Sequence, residues 1–299
     1  MGAQLPTAGD VISDYLKAQV DAIHSRQDAL RADQPDAVHK TRVATRRLRS
    51  TLRSFRTIFH EDATDPLRAE LKWYGEVLGG PRDAEVLRQR LVETLGTLPH
   101  DAVVGPVRER LKSELDAWHT RAHAELVKAM NSTRHRELLN ALTELATAPP
   151  TRPVADEPFR RVLDPLLKKA TQRVVKRWRA TQAAEPGAQM ELAHETRKKA
   201  KAARYAFEAL AKTNQRYVTG AKAWEQVTEA LGTAQDSVVA CTHLKELAMA
   251  ARSAGEPSFT YGALYMRELT QQGDAHDTAT LAISKAQEAS RAALAEEKP

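Results

Sequence analysis

Apolar residues recur at three- and four-residue intervals along nearly the whole chain, and no stretch alternates apolar with polar positions as a half-buried strand would. The first such run, over 10–32, carries Val11, Ile12, Tyr15, Leu16, Val20, Ile23 and Leu30, with Asp10 placed to cap it. Asp33, Gln34 and Pro35 end that run, and Asp36 opens a second helix over 36–59. Further helices are predicted over 67–78, 82–95, 106–130 and 134–145, with Gly79-Gly80-Pro81 as a strong breaker between the first two of these. Beyond 153 the pattern resumes over 159–178, 194–210, 217–231, 235–253, 259–270 and 276–295, with Glu185-Pro186-Gly187 interrupting it before the second of these. Short helices joined by short connections, and no strands, predict an all-α bundle whose stability comes from packed apolar faces. The prolines of Ala148-Pro149-Pro150-Thr151-Arg152-Pro153 cannot lie inside a helix, so 149–153 reads as a linker between halves 1–148 and 154–299.

The helix over 36–59 changes the picture, because its polar face is almost entirely cationic. Taking His39 as zero on a helical wheel, Arg42, Arg46, Arg49, Arg53 and Arg56 fall at roughly 260 to 340 degrees. Ala44, Leu48, Leu52, Phe55 and Phe59 fall at roughly 140 to 220 degrees and form the face that must be buried. Aligned guanidiniums repel one another, so the stripe costs stability unless anions neutralise it. Arginine keeps its charge at any accessible pH and presents a planar fork of donors to carboxylate or phosphate oxygens. A row of such groups suits a ligand with repeated anionic groups; a solvated surface face is the bland alternative.

The stripe recurs. Positions 194–210 read HETRKKAKAARYAFEAL, in which His39, Arg42, Arg46 and Arg49 reappear as His194, Arg197, Lys201 and Arg204. Leu78-Gly79 and Asp83 reappear as Leu231-Gly232 and Asp236, with a small change in length. The match fails at Arg53, whose counterpart is Glu208, and at Arg47, whose counterpart is Ala202. An ancestral duplication is the simplest account. Lys198 adds to the second stripe, and Lys169, Arg173 and Lys176, on the preceding helix, sit at spacings that bring them toward the same path or leave them on a generally basic exterior. Arg82 either holds an anion beside the N–H groups opening its helix or pairs with Asp83 or Glu85.

These linked motifs, His39-x-x-Arg42-x-x-x-Arg46-Arg47-x-Arg49 with Leu78-Gly79 and Arg82-Asp83, then His194-x-x-Arg197, Lys201, Arg204-Tyr205, Leu231-Gly232 and Asp236, resemble the CHAD family, the conserved histidine α-helical domain. The resemblance runs from about Val11 to about Ala293. It implies two pseudo-symmetric helical bundles lining a basic central channel that binds inorganic polyphosphate without known catalysis. Members often occur fused to a β-barrel triphosphate-hydrolysing domain, for which these residues leave no room.

Composition narrows the alternatives. Lys plus Arg number 45 against 39 Asp plus Glu, a net charge of only +6, so the basic residues matter by clustering rather than by excess. The single cysteine, Cys241, excludes an internal disulfide and is consistent with a reducing compartment. No apolar run is long enough for a membrane span, and 1–8 lacks the pattern of a secretion signal; the expectation is a cytoplasmic protein, compatible with association with polyphosphate granules. No Gly-rich phosphate loop, carboxylate-held metal site or activated nucleophile is evident, so no enzyme activity and no cofactor are expected. His119 and His123 have metal-ligand spacing but no evident third ligand, and no metal is expected. His39 and His194 either contact anions or link adjacent helices, with pKa values lowered by neighbouring charge. Nucleic acid is the competing ligand, disfavoured because aromatic residues make up only 5% and the stripes lack interleaved stacking residues. A scaffold for protein partners at granules is a further alternative.

Overall fold

The computed structural model describes residues 6–295, so most of the segment read for a secretion signal and the last four residues lie outside the description. Among the described residues there are eleven α-helices, three short 3-10 segments and no strand. The first half supplies α1 (Ala8–His24), α2 (Gln27–Arg31), α3 (Ala37–Ser54), α4 (Glu61–Val77), α5 (Gly79–Gly96), α6 (Val107–Met130) and α7 (Thr133–Thr147). The second supplies α8 (Phe159–Gln182), α9 (Pro186–Leu210), α10 (Gln215–Ser253) and α11 (Phe259–Leu294). No helix among the described residues is long and apolar enough to cross a membrane.

Several local expectations are corrected. Thr7, not Asp10, caps α1: its hydroxyl accepts from the Asp10 backbone while Asp10 bonds back to Thr7, a reciprocal capping box. Asp36 does precede α3, but in a left-handed conformation with no side-chain capping bond. Gly79-Gly80-Pro81 is no loop; it is the first turn of α5, with Leu78 alone separating it from α4. Proline is tolerated there because the first N–H groups of a helix have no intrahelical acceptor anyway. The pairs predicted over 217–231 and 235–253, and over 259–270 and 276–295, are each one unbroken helix, α10 and α11. These two pack against each other and α10 also lies on α9, so tertiary contact outweighs the roughly 1 kcal/mol propensity cost of an internal glycine.

Two apolar clusters hold the molecule together, and both draw on both halves. The larger joins Leu16, Leu48, Phe55 and Tyr74 to Leu163, Trp178, Phe207 and Trp224. The smaller joins Leu87, Leu91 and Leu111 to Leu244, Tyr261 and Leu264. The proline-rich segment is pinned rather than free: Arg152 N–H donates to the Ile58 carbonyl at 2.7 Å and His60 N–H to that of Pro150 at 2.9 Å.

Candidate functional site

The two cationic helices α3 and α9 pack directly on one another, with α4 against α3 and α8 against α9. The apolar face predicted for α3 is indeed buried: Ala44, Leu48, Leu52 and Phe55 are inaccessible or nearly so. This anchoring turns the neighbouring cationic stripe toward a trough of about 770 Å³. Arg46, Arg49 and Arg53 line it from α3, and Arg197, Lys198 and Lys201 line it from α9 together with His194. Arg68 and Lys72 of α4, four residues apart on a polar face, complete the wall; the sequence reading missed them because nothing in the repeat marks them. The one carboxylate in the lining, Asp65, is engaged by Arg68. A second cavity of about 580 Å³ shares Arg53 and Lys198 with the first and adds Lys169 and Arg173 from α8.

The other candidates lie elsewhere. Lys176 is exposed and lines neither cavity. Arg82 bonds Glu85 at 3.0 Å, so of the two readings offered for it, pairing is the one the geometry displays. Arg204 is held by Glu208 at 2.7 Å and by Glu225 at 2.5 Å. Glu208 also accepts from Arg47 Nε at 2.7 Å, which accounts for both departures from the repeat: Glu208 and Arg47 form a tie between α9 and α3. Burial opposes the Arg47 charge, but the bond to Glu208 outweighs it and the guanidinium is held above its ordinary pKa. His39 lies at the α5 side of α3 and does not line either cavity.

Arg42 and Arg197 are built alike. Arg42 Nη1 lies 3.2 Å from Asp83, and Arg197 Nη2 lies 3.9 Å from Asp236. A Cβ at Gly79 would stand 3.5 Å from Arg42 Nη2, and one at Gly232 would stand 3.0 Å from Arg197 Nη2. At Gly232 the missing side chain leaves room that Arg197 uses, whereas at Gly79 a Cβ would make only ordinary contact with Arg42; Nε of both arginines is buried with no acceptor. Among the described residues no carboxylate lies at ion-pair distance from Arg46, Arg49, Arg53 or Lys201.

The electrostatic cost falls most heavily on Lys201. Burial first, and then the charges of Arg197, Arg46 and Arg42, push its pKa down from 10.5 to about 6. Burial likewise lowers Arg42 and Arg49, with Arg46 adding repulsion to both. His39 and His194 are lowered chiefly by burial, with Arg82 and Lys198 respectively as the next cause, so desolvation rather than neighbouring charge dominates. Chemically the trough is a field of charge-bearing donors short of acceptors.

His119 and His123 gain the neighbours that sequence spacing could not supply. Atoms of Asp33, Glu85 and His119 lie within 4.8 Å of one another. His119 Nε2 stands 2.8 Å from Asp33, His123 Nε2 meets the Leu30 carbonyl at 2.8 Å, and Arg82, outside the cluster, holds Glu85.

The family profile of the CHAD domain matches residues 14–245. The chain belongs to the CHAD domain family. This CHAD chain is 34% identical over 275 residues to the uncharacterized proteins Rv2226 and MT2285 from two strains of Mycobacterium tuberculosis. That match takes 89% of this chain and 51% of those proteins, so the chain spans about half the length of the curated relatives it matches. Among solved structures it is similar to PptA from Streptomyces chartreusis, with a TM-score of 0.73, 23% identity, and coverage of 93% of this chain and 99% of that one. The CHAD domain from the plant Ricinus communis gives a TM-score of 0.70 at 22% identity, covering 94% and 92%. At these identities the two structures share the CHAD fold.

Proposed function

We propose that this CHAD chain binds inorganic polyphosphate in the trough between α3 and α9, as a binding module without a catalytic step. The observation that carries this reading is that Arg46, Arg49, Arg53 and Lys201 face one cavity without carboxylate partners, beside Arg68, Lys72, Arg197 and Lys198, each of which has one. A linear polyanion supplies a phosphate to each turn of helix, relieves the repulsion and offers acceptors to the guanidinium forks. The second cavity extends the path toward Lys169 and Arg173, which favours a long chain over a single phosphate. The matched Arg42, Gly79, Asp83 and Arg197, Gly232, Asp236 arrangements support an ancestral duplication into halves 1–148 and 154–299, with one helix from each half forming the wall of a shared channel. Residence in the cytoplasm, association with polyphosphate granules and the carriage of protein partners there would follow from this reading.

Calorimetric titration with long-chain polyphosphate over a salt series, beside orthophosphate, tripolyphosphate and single-stranded RNA, tests it. Tight, saturable binding that needs a long chain and weakens steeply with salt is the expected result. A preference for RNA at equal phosphate would replace the proposal with a nucleic-acid interface. Arg46→Ala with Lys201→Ala should weaken binding and flatten the logarithmic salt slope by roughly one to two. The exposed pair Lys112→Ala with Arg136→Ala should change little; equal losses from both pairs would sink the idea of a defined channel.

A further inference from the structure

His194 is a wall shared by two cavities of opposite character. On one side is the cationic trough; on the other is a cleft of about 380 Å³ whose lining contains no aspartate, glutamate, lysine or arginine. The cleft presents the carboxamides of Gln189 and Gln272, with that of Gln235 turned to the His194 ring, over an apolar surface that includes Leu231 and Val238. Gln189 donates to the Ala184 carbonyl at 2.9 Å, which leaves its own carbonyl oxygen as an acceptor. His276 closes the far side, its ring 4.9 Å from that of Trp178. Met190 and Leu269 on the rim are 49% and 38% exposed, an apolar edge left open to water. His194 Nδ1 is buried without a hydrogen-bond partner.

Such a lining is built for a flat, uncharged ligand with donors and acceptors on its edge. Carboxamides pair with the edge of adenine, which offers one donor beside one acceptor, and bases stack on imidazole rings. The volume and the mix of apolar walls with a few polar groups are those of a small-molecule pocket. Arg197 and Lys198 stand one helical turn beyond His194, the distance over which a ribose separates a base from its phosphates.

We propose that this cleft receives the base of a nucleoside polyphosphate, purine rather than pyrimidine, whose phosphate chain passes His194 and lies on Arg197 and Lys198 in the trough. This rests on the polyphosphate-binding reading and adds a second recognition element to it. The trough alone sees phosphate; the cleft distinguishes a chain that carries a nucleoside from one that does not.

The test is to titrate the protein with ATP and with tripolyphosphate, without divalent cations, beside long-chain polyphosphate. ATP carries less charge than tripolyphosphate, so a trough acting alone binds it more weakly. The expected result is that ATP binds at least about tenfold more tightly, and more tightly than UTP. Val238→Trp, which fills the cleft, should bring ATP to or below the level of tripolyphosphate while leaving long-chain polyphosphate unchanged. Gln272→Ala, at a partly exposed side chain, should lower ATP affinity severalfold with the same selectivity and guards against a folding defect in the first variant. ATP binding no better than tripolyphosphate, with polyphosphate binding intact, would overturn the cleft alone. Failure of all three ligands to bind would overturn the trough and the cleft together.

Discussion

Lys201 concentrates the chemistry of the site at the scale of one residue. In the ligand-free protein burial and three arginines hold its ammonium near a pKa of about 6, whereas in the unfolded chain it titrates near 10.5. The unfolded state therefore binds more protons between those values, and the cost of Lys201 to stability is full below about pH 6 and fades as pH rises toward 10.5. Lys201→Met should raise the urea midpoint of the ligand-free protein, and by more at pH 6 than at about pH 9. A bound polyanion favours the charged form, so binding takes up a proton in this window and polyphosphate affinity rises as pH falls. Titrations in buffers of different ionisation enthalpy should detect the uptake near pH 8, and Lys201→Met should abolish it; uptake that survives the substitution would assign the proton to another group. The sequence revealed that Lys201 belongs to the stripe. Its depressed pKa was invisible there, because desolvation depends on which helices cover the side chain.

At the scale of the helix, α3 and α9 are held in register by a carboxylate that breaks the repeat. Glu208 stands where its counterpart is Arg53, and it accepts from both Arg47 and Arg204 while Tyr15 bonds it from α1 at 3.3 Å. Burial raises the Tyr15 pKa, and the Glu208 charge raises it further, so the phenol stays a donor. Glu208→Ala would leave two half-buried guanidiniums short of an acceptor and should destabilise the protein by about 2 kcal/mol. Denaturant unfolding checks this, and Glu208→Gln, which keeps one acceptor, should recover part of the loss. Helix identity and the buried faces of α1 and α3 were legible from periodicity alone. The continuity of α10 through Gly232 and of α11 through Gly273 was not, because packing along a neighbouring helix overrides local propensity.

Across the whole molecule, the halves are joined by shared cores and by one buried ionic network. Glu268 of α11 is fully inaccessible and accepts from Arg90 Nε of α5 at 2.8 Å and from Thr94 at 3.2 Å. Arg90 also donates to Ser237 of α10 at 2.5 Å and to Gln271 at 2.7 Å, so every charge in the network is answered. Removing the carboxylate strands a guanidinium in the interface: Glu268→Ala should cost about 3–5 kcal/mol, read as a shift in the urea midpoint. The transition should remain a single cooperative one, because both apolar clusters contain residues of both halves. Two separate transitions would mean that the halves fold as independent units.

The periodicity of apolar residues by itself determined that the chain is helical, and the recurrence of His39, Arg42, Arg46 and Arg49 as His194, Arg197, Lys201 and Arg204 identified two related cationic helices. Both are properties of spacing along one helix, which a wheel captures. Only the tertiary structure decided that Arg46 and Lys201 face one cavity while Arg204 turns to Glu208 and Glu225, that Arg68 and Lys72 join the wall, and that a neutral cleft opens behind His194. Those outcomes depend on which side chain from a distant part of the chain arrives to neutralise, bury or leave open a given position, and spacing within a single helix carries no information about that.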